Sequence, residues 1–535
     1  MPEADASHQA GGGILQGTSD ADARARDIAA TLLPGFEGTT LPDSLRRRLT
    51  DGLGGVCVFG PNIVSERALK ELNDEILAAS PLAVIAIDEE GGDVTRLNYA
   101  DGSPYPGNAV LGRIADLHLT EGVGRDVGWA LRRTSCTLDF APDVDVNSNP
   151  DNPVIGVRSF GTDAAHVARH GAAWTAGLQS AGVAACAKHF PGHGDTALDS
   201  HLSLPVIDRS LDELRERELV PFVAAIEAGV DAIMTSHIVL PQVDADVPAT
   251  FSSRILTELL RGELGFDGVI VTDALDMKGA SGEIGIPEAA VRALAAGCDL
   301  LCIGTDTSDD LIDEIIRTVG RAIDAGRLKA ERVADAATRV RAMAARLAAR
   351  RAVTLEPSNT AERSTAVPVD DVQRSFDVRH DVLAALADTV QPFAVVRIET
   401  EANIAVGVAP WGPFAQVGAA PLAEDSVEWA RHPEFIVSEQ DALSGDLDAR
   451  LAEILNAVPG DRGVVVIGKA MHRHPFARTT VDALRAARTT VAVDMGWPSD
   501  GREYADVATF GGSRLVGRAL IALLRVALPG ESSDR

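Results

Sequence analysis

The chain has 535 residues, 46% of them hydrophobic, and a formal net charge of −29. That length asks for more than one domain, and that apolar share can fill sizeable cores. The charge works against nucleic acid and anionic membrane surfaces as partners, and no run of about twenty apolar residues predicts a membrane span.

Residues 1–24 read as a flexible tail, acidic and glycine-rich, without the basic and apolar regions of a signal peptide. Five cysteines (Cys57, Cys136, Cys186, Cys298 and Cys302) lie mostly in apolar runs with no CxxC pair, so no disulfide framework is expected and a reducing cytoplasm fits. The basic residues are nearly all arginine; Lys188 is one of five lysines.

From about residue 50, short apolar runs alternate with amphipathic stretches. Strands are predicted at GGVCVFG (54–60), LAVIAIDEEGG (82–92), TLDFAPDVDV (137–146), VAACAKHFPG (183–192), DAIMTSHIVLP (231–241), GVIVTDALDM (268–277) and CDLLCIG (298–304). Helices are predicted between them and through about residue 350. Strands with no polar alternation, separated by helices, mean a buried parallel sheet. Seven such units favour a (β/α)8-like TIM barrel over residues 25–351, irregular because the pattern places no eighth strand. Residues 352–384, rich in Pro, Ser and Thr at their start, read as a linker. Beyond them, PFAVVRI, NIAVGV, RGVVVIG and TTVAVDMG read as strands, with helices near 445–457, 480–487 and 513–527, giving a smaller α/β sandwich domain over 385–535.

The first polar residues after each apolar run are Asp88 and Glu89, Asp143 and Asp145, Lys188 and His189, Ser236 and His237, and Asp273. In a parallel barrel those strand ends share one face, where active sites form. The loop KHFPGHGDTALDSH (188–201) adds His193, Asp199 and His201. A zinc site from His189, His193, Asp199 and His201 is disfavoured, because the spacing matches no usual signature and the HxxxH spans a Pro-Gly pair. In an extended segment Asp199 and His201 point the same way, so the carboxylate can orient the imidazole and stabilise its cation. Gly192 and Gly194 permit a mobile loop. The alternative is a polar loop held by local hydrogen bonds. Asp273 ends an apolar strand and suits catalysis or substrate binding, whereas Asp276 suits a helix N-cap. No GxSxG supports a serine hydrolase.

Taken together, KHFPGHGDTALDSHLSLP, IDEEGGDVTRL, NPVIGVRSFG and GVIVTDALDM resemble, in order and over about residues 25–350, the motif set of family 3 glycoside hydrolases. The resemblance is closest to the β-N-acetylglucosaminidase (NagZ-like) branch. It implies that Asp273 is the nucleophile and His201 the general acid/base, with Asp199 as its partner. It also implies that Asp88, Arg158, Lys188, His189 and His193 bind the sugar, with Asp143 nearby, and that neither cofactor nor metal is needed. Such chemistry joins a carboxylate that traps an oxocarbenium-like centre to a proton donor for the leaving oxygen. The implied activity is retaining, exo-acting cleavage of terminal β-linked N-acetylglucosamine (GlcNAc) from cell-wall fragments or chitooligosaccharides, as in peptidoglycan recycling. An imidazole acid tolerates an anion beside it, so inorganic phosphate as acceptor, making the enzyme a phosphorylase, stays open. A non-catalytic sugar-binding protein and a zinc hydrolase are the contrasting readings. The sequence departs from the family at Asp93, where Arg is common, and at Val157, where Asp is common. In the second domain, FGGSRLVG (510–517) could cradle a phosphate or be a tight strand-to-helix turn, and MHRHPF (471–476) is expected on a solvated loop.

Overall fold

Apolar runs such as VIAI (84–87) and AIMT (232–235) lack polar alternation because both of their faces are covered. A computed structural model of the protein describes residues 20–196, 204–356, 367–401, 405–415 and 429–527. In it eight such segments are parallel strands: β1 (Leu32–Pro34), β2 (Gly55–Cys57), β3 (Val84–Ile87), β4 (Leu138–Asp139), β5 (Ala184–Phe190), β6 (Ala232–Thr235), β7 (Val269–Val271) and β8 (Leu301–Gly304). Strands β2 to β7 are bonded in series, β8 pairs with β1, and a bridge between Val271 and Leu300 ties β7 to β8. Gly54, just before β2, donates to the Ala29 carbonyl, and a Cβ there would sit 2.3 Å from the Ala30 oxygen, so only glycine lets β2 approach β1 this closely. This is the TIM barrel expected from the alternation. The eighth strand, absent from the sequence prediction, is β1: three residues ending in proline are too short to show a period, and its partner β8 lies at the far end of the barrel sequence.

Side chains alternate even along these wholly buried strands. Leu33, Val84, Ala86, Leu138, Cys186, Met234, Val271 and Cys302 fill the barrel's interior with Val340, Met343 and Leu347 of the helix Ala330–Val353. The intervening residues, among them Val56, Ile85, Ile87 and Ile233, pack outward against helices such as Leu117–Arg133 and Ala164–Ser180.

A second sheet comprises β9 (Asp377–Val378), β10 (Val390–Glu399), β11 (Glu434–Ser438), β12 (Arg462–Gly468), β13 (Thr490–Asp494) and β14 (Val507–Ala508), in the order β11-β10-β12-β13-β14-β9. All pairs are parallel except β14 with β9. Ala394, Val396 and Val464 face Ile454, Val481 and Leu484 on one side. Val395, Val465 and Val493 face Leu383, Leu386 and Leu520 on the other, completing the sandwich.

Four details differ from the expectation. Residues 20–24, expected in the tail, are the first turns of the helix Asp20–Ala30, whose Ile28 and Ala30 are buried. Residues 369–384 are not purely connecting: the helix Val369–Arg374, strand β9 and the helix His380–Ala387 belong to the second unit, their apolar content too sparse to show in sequence. Within NIAVGV, residues 405–408 form a turn rather than a strand, and 403–404 lie outside the described residues. Strand β11, missing from the prediction, buries only Val437 fully and so carries a weak apolar signal.

Candidate active site

The polar residues predicted to converge do so at the carboxyl ends of β3, β4, β5, β6 and β7. Lys188, on β5, is almost fully buried, and its ammonium contacts Asp88 Oδ1 at 2.8 Å and Glu90 Oε1 at 2.7 Å, both just beyond β3. Arg158, on the short helical turn Gly156–Arg158, forks onto the same Glu90 with Nε to Oε2 at 2.9 Å and Nη2 to Oε1 at 2.7 Å. The Arg158 guanidinium also lies 3.5 Å from Asp143 Oδ2 and 3.4 Å from His189 Nε2. Burial works against the Glu90 carboxylate, but the Arg158 and Lys188 charges outweigh it and hold Glu90 below the usual carboxylate range. Burial likewise opposes the charge on Lys188, and Asp88 and Glu90 more than restore it.

Asp145 organises the other side. It accepts from His189 Nδ1 at 2.7 Å, from the His189 backbone N–H and from the His193 backbone N–H at 2.7 Å. That bond leaves His189 Nε2 toward Arg158 and the site. Burial and the Asp145 charge push the Asp143 carboxyl well above its ordinary value. His193 sits in the site's wall with its ring buried and neither ring nitrogen hydrogen-bonded among the described residues. Burial lowers its pKa to about 4, against the opposing pull of Asp145.

Asp273 follows β7, half-buried, and its Oδ1 accepts the N–H of Ala274. The Ala274 carbonyl in turn meets His237 Nε2 at 3.1 Å, and His237 Nδ1 meets Thr250 at 2.9 Å. Asp276 caps no helix; it accepts from the Thr305 N–H beyond β8. Asp199 and His201 lie outside the described residues. Their flanks are placed at the same face: Asn152 Nδ2 donates to the carbonyls of His193 and Gly194, and Val206 bridges to Val239 after β6. Gly194 is present for space, since a Cβ would stand 1.7 Å from the Val146 oxygen.

Asp143, Asp145 and His189 bring three ligand-type atoms within 4.8 Å of one another. Their donor set suits a cation poorly: His189 Nδ1 is already bonded to Asp145, and the Arg158 guanidinium supplies positive charge between Asp143 and His189. Of two residues central to this geometry, Glu90 was not singled out from sequence, and Asp145 was named only as a strand-end carboxylate with no role assigned. Both were signalled by position, as additional carboxylates beside Asp88 and Asp143 after apolar strands.

The family model for the glycosyl hydrolase family 3 N terminal domain matches residues 42–343. The chain belongs to glycosyl hydrolase family 3. A β-hexosaminidase of Thiobacillus denitrificans is 40% identical over 290 residues, covering 52% of this chain and 79% of the relative. β-Hexosaminidase A of Pseudoalteromonas piscicida is 36% identical over 330 residues, 56% of this chain and 55% of that relative, so little more than half of its length is spanned. The solved structure of a family 3 β-N-acetylglucosaminidase from a Paenibacillus species aligns with a TM-score of 0.76 at 29% identity, over 94% of this chain and 97% of that one. As a family 3 member the protein is a glycoside hydrolase.

Both departures from the family pattern lie where the second unit meets the barrel mouth. Asp93 pairs with Lys469, and Val157 packs with Phe510 and Trp497. The MHRHPF turn is only partly solvated: the His472 side chain is largely covered, 3.7 Å from Asp151, and Arg473 donates to the Asn152 carbonyl at 3.3 Å.

Proposed function

We propose that the protein is a retaining exo-β-N-acetylglucosaminidase that removes terminal β-linked GlcNAc from cell-wall fragments or chitooligosaccharides in the cytoplasm, in peptidoglycan recycling. The observation that carries this reading is the buried Asp88–Lys188–Glu90–Arg158 array beside the half-buried Asp273, all at the carboxyl ends of barrel strands. Alternating, mutually neutralised charges present donors and acceptors to sugar hydroxyls without leaving a bare charge. Asp273 attacks the anomeric carbon, forming a glycosyl–Asp ester as the leaving oxygen takes a proton from His201; His201, oriented by Asp199, then deprotonates the water that opens the ester. His189 and His193 complete the sugar-facing wall. The β-hexosaminidase and β-N-acetylglucosaminidase relatives support GlcNAc as the sugar. Five buried, unpaired cysteines fit a reducing compartment.

The test is an aryl β-N-acetylglucosaminide, assayed in phosphate-free buffer and again with added phosphate, with the sugar product identified. Free β-GlcNAc at a phosphate-independent rate is expected, and Asp273→Asn should lower kcat by at least about a thousandfold. GlcNAc-1-phosphate formed with strong phosphate acceleration would make the enzyme a phosphorylase. No release in either buffer would overturn the activity.

A further inference from the structure

The second α/β unit presents the carboxyl ends of its strands to the barrel mouth. In such sheets the crevice at a reversal of strand order is where partners bind. Here the order reverses between β10 and β12, and the residue directly after β12 is Lys469. Its ammonium lies 2.6 Å from Asp93 Oδ2, while Asp93 Oδ1 accepts the Gly512 N–H at 2.7 Å. Gly512 sits in the FGGS turn that opens the helix Arg514–Ala527, so the anion taken by that turn is a side chain of the barrel. A Cβ at Gly512 would stand 2.6 Å from Lys469 Cε and 3.2 Å from Asp93 Oδ2, so a side chain there would displace the ion pair.

Asp93 belongs to the loop that carries the sugar-site carboxylates. Glu89 ties that loop's base by accepting from Thr95 Oγ1 and from the N–H groups of Arg96 and Leu97, and Glu90 N–H donates to the Val94 carbonyl. Arg96 makes a second grip, donating to the Ala405 carbonyl of the second unit at 2.7 Å. On the far side, Asp494 fixes the Lys469 turn by accepting from the N–H groups of Ala470, Met471 and Gly496. A continuous set of contacts therefore runs from Asp494 through Lys469 and Asp93 to Glu90, where Lys188 and Arg158 converge. One small cavity is lined by Glu90, Asp93, Val157 and Arg158 from the barrel and by Phe510 and Gly511 from the second unit.

We infer that Lys469 and Asp93 are a positioning pair through which the second unit sets the height of the Asp88–Glu90 loop, and with it the affinity for the sugar. The pair is partly desolvated: the Asp93 side chain is 5% exposed and that of Lys469 24%. Removing Lys469 leaves a buried carboxylate without its cation, and the loop shifts to hydrate it. Neither residue reaches the reacting atoms, so the effect belongs in substrate binding rather than in the chemical step.

The inference rests on the glycosidase reading only for its assay. Lys469→Met and Asp93→Asn should each raise KM for the aryl glycoside about tenfold with kcat within about threefold, and the double variant should be no worse than either single one. The charge-swapped Asp93→Lys/Lys469→Asp enzyme should recover part of the loss. KM unchanged in both variants, or effects that multiply in the double variant, would overturn the inference. So would a loss of thermal stability in parallel with kcat and no KM split. The same variants are compared by the thermal shift that GlcNAc induces in each, a readout that needs no turnover. If the wild-type enzyme cleaves no glycoside the activity reading falls, whereas an equal GlcNAc shift in wild type and variants defeats the positioning pair.

Discussion

Glu90 gathers two cations in a site where water is largely excluded. A carboxylate this buried, 4% exposed, is tolerable only because Arg158 forks onto it and Lys188 joins it. Asp145 plays the corresponding part for His189 and for the backbone of His193. His193 itself brings a testable consequence. Burial holds it neutral, with a pKa of about 4 against an ordinary value near 6.5. Between those values the unfolded chain takes up a proton that the folded one refuses, so the unfolded state binds more protons and stability falls as pH falls. This contribution is fully present above about pH 6.5 and lost progressively toward pH 4, to a total of about 3 kcal/mol. Thermal midpoints measured across that window should drop more steeply for the wild-type protein than for His193→Gln; parallel curves would show that His193 is not the group responsible.

At the scale of elements, the site depends on short strands and the turns that leave them. Strand β4 has two residues, yet it launches Asp143 and Asp145. The segment after β5 is held by Asn152 against His193 and Gly194 and by the contact of Gly194 with Val146. Gly194→Ala should cost about 1–3 kcal/mol, because its methyl group would enter the space of the Val146 carbonyl. It should also lower kcat, since this turn leads into the segment bearing Asp199 and His201. Urea unfolding and steady-state kinetics check the two effects separately, and a stability loss without any fall in kcat would detach the turn from catalysis. The strand–helix alternation was legible where an apolar run extends beyond the bonded strand, as the run 137–146 does around two-residue β4. Strands β1, β9 and β14 have no such extended run of their own, so only their neighbours in the sheet define them.

Across the whole molecule, the two units meet with carboxyl-end faces together, and the contacts between them are charged as well as apolar. Arg113 of the barrel donates to the Ser375 carbonyl, pairs with Asp377 at 2.5 Å and lies 3.9 Å over the Phe510 ring. Such a contact, half in water, contributes about 1–2 kcal/mol. Arg113→Ala should therefore loosen the coupling, so that a single calorimetric endotherm for the wild-type protein broadens or divides in two. An unchanged endotherm would mean that the apolar contacts around Val157, Phe510 and Trp497 suffice to unite the units.

The amino-acid sequence by itself determined the barrel and the strand-end face on which its polar residues gather. Those follow from local facts: an apolar run of the right length makes a buried strand, and the first polar residue after it must emerge at one end. Asp88, Lys188, His189 and Asp273 were readable for that reason. Tertiary structure alone decided that Glu90 would be the shared anion, that Asp145 would orient His189, and that Asp93 would face Lys469 rather than solvent. Each of these is a pairing of charges distant in sequence, and a charge carries no mark of its partner until folding brings the two together and removes the water between them.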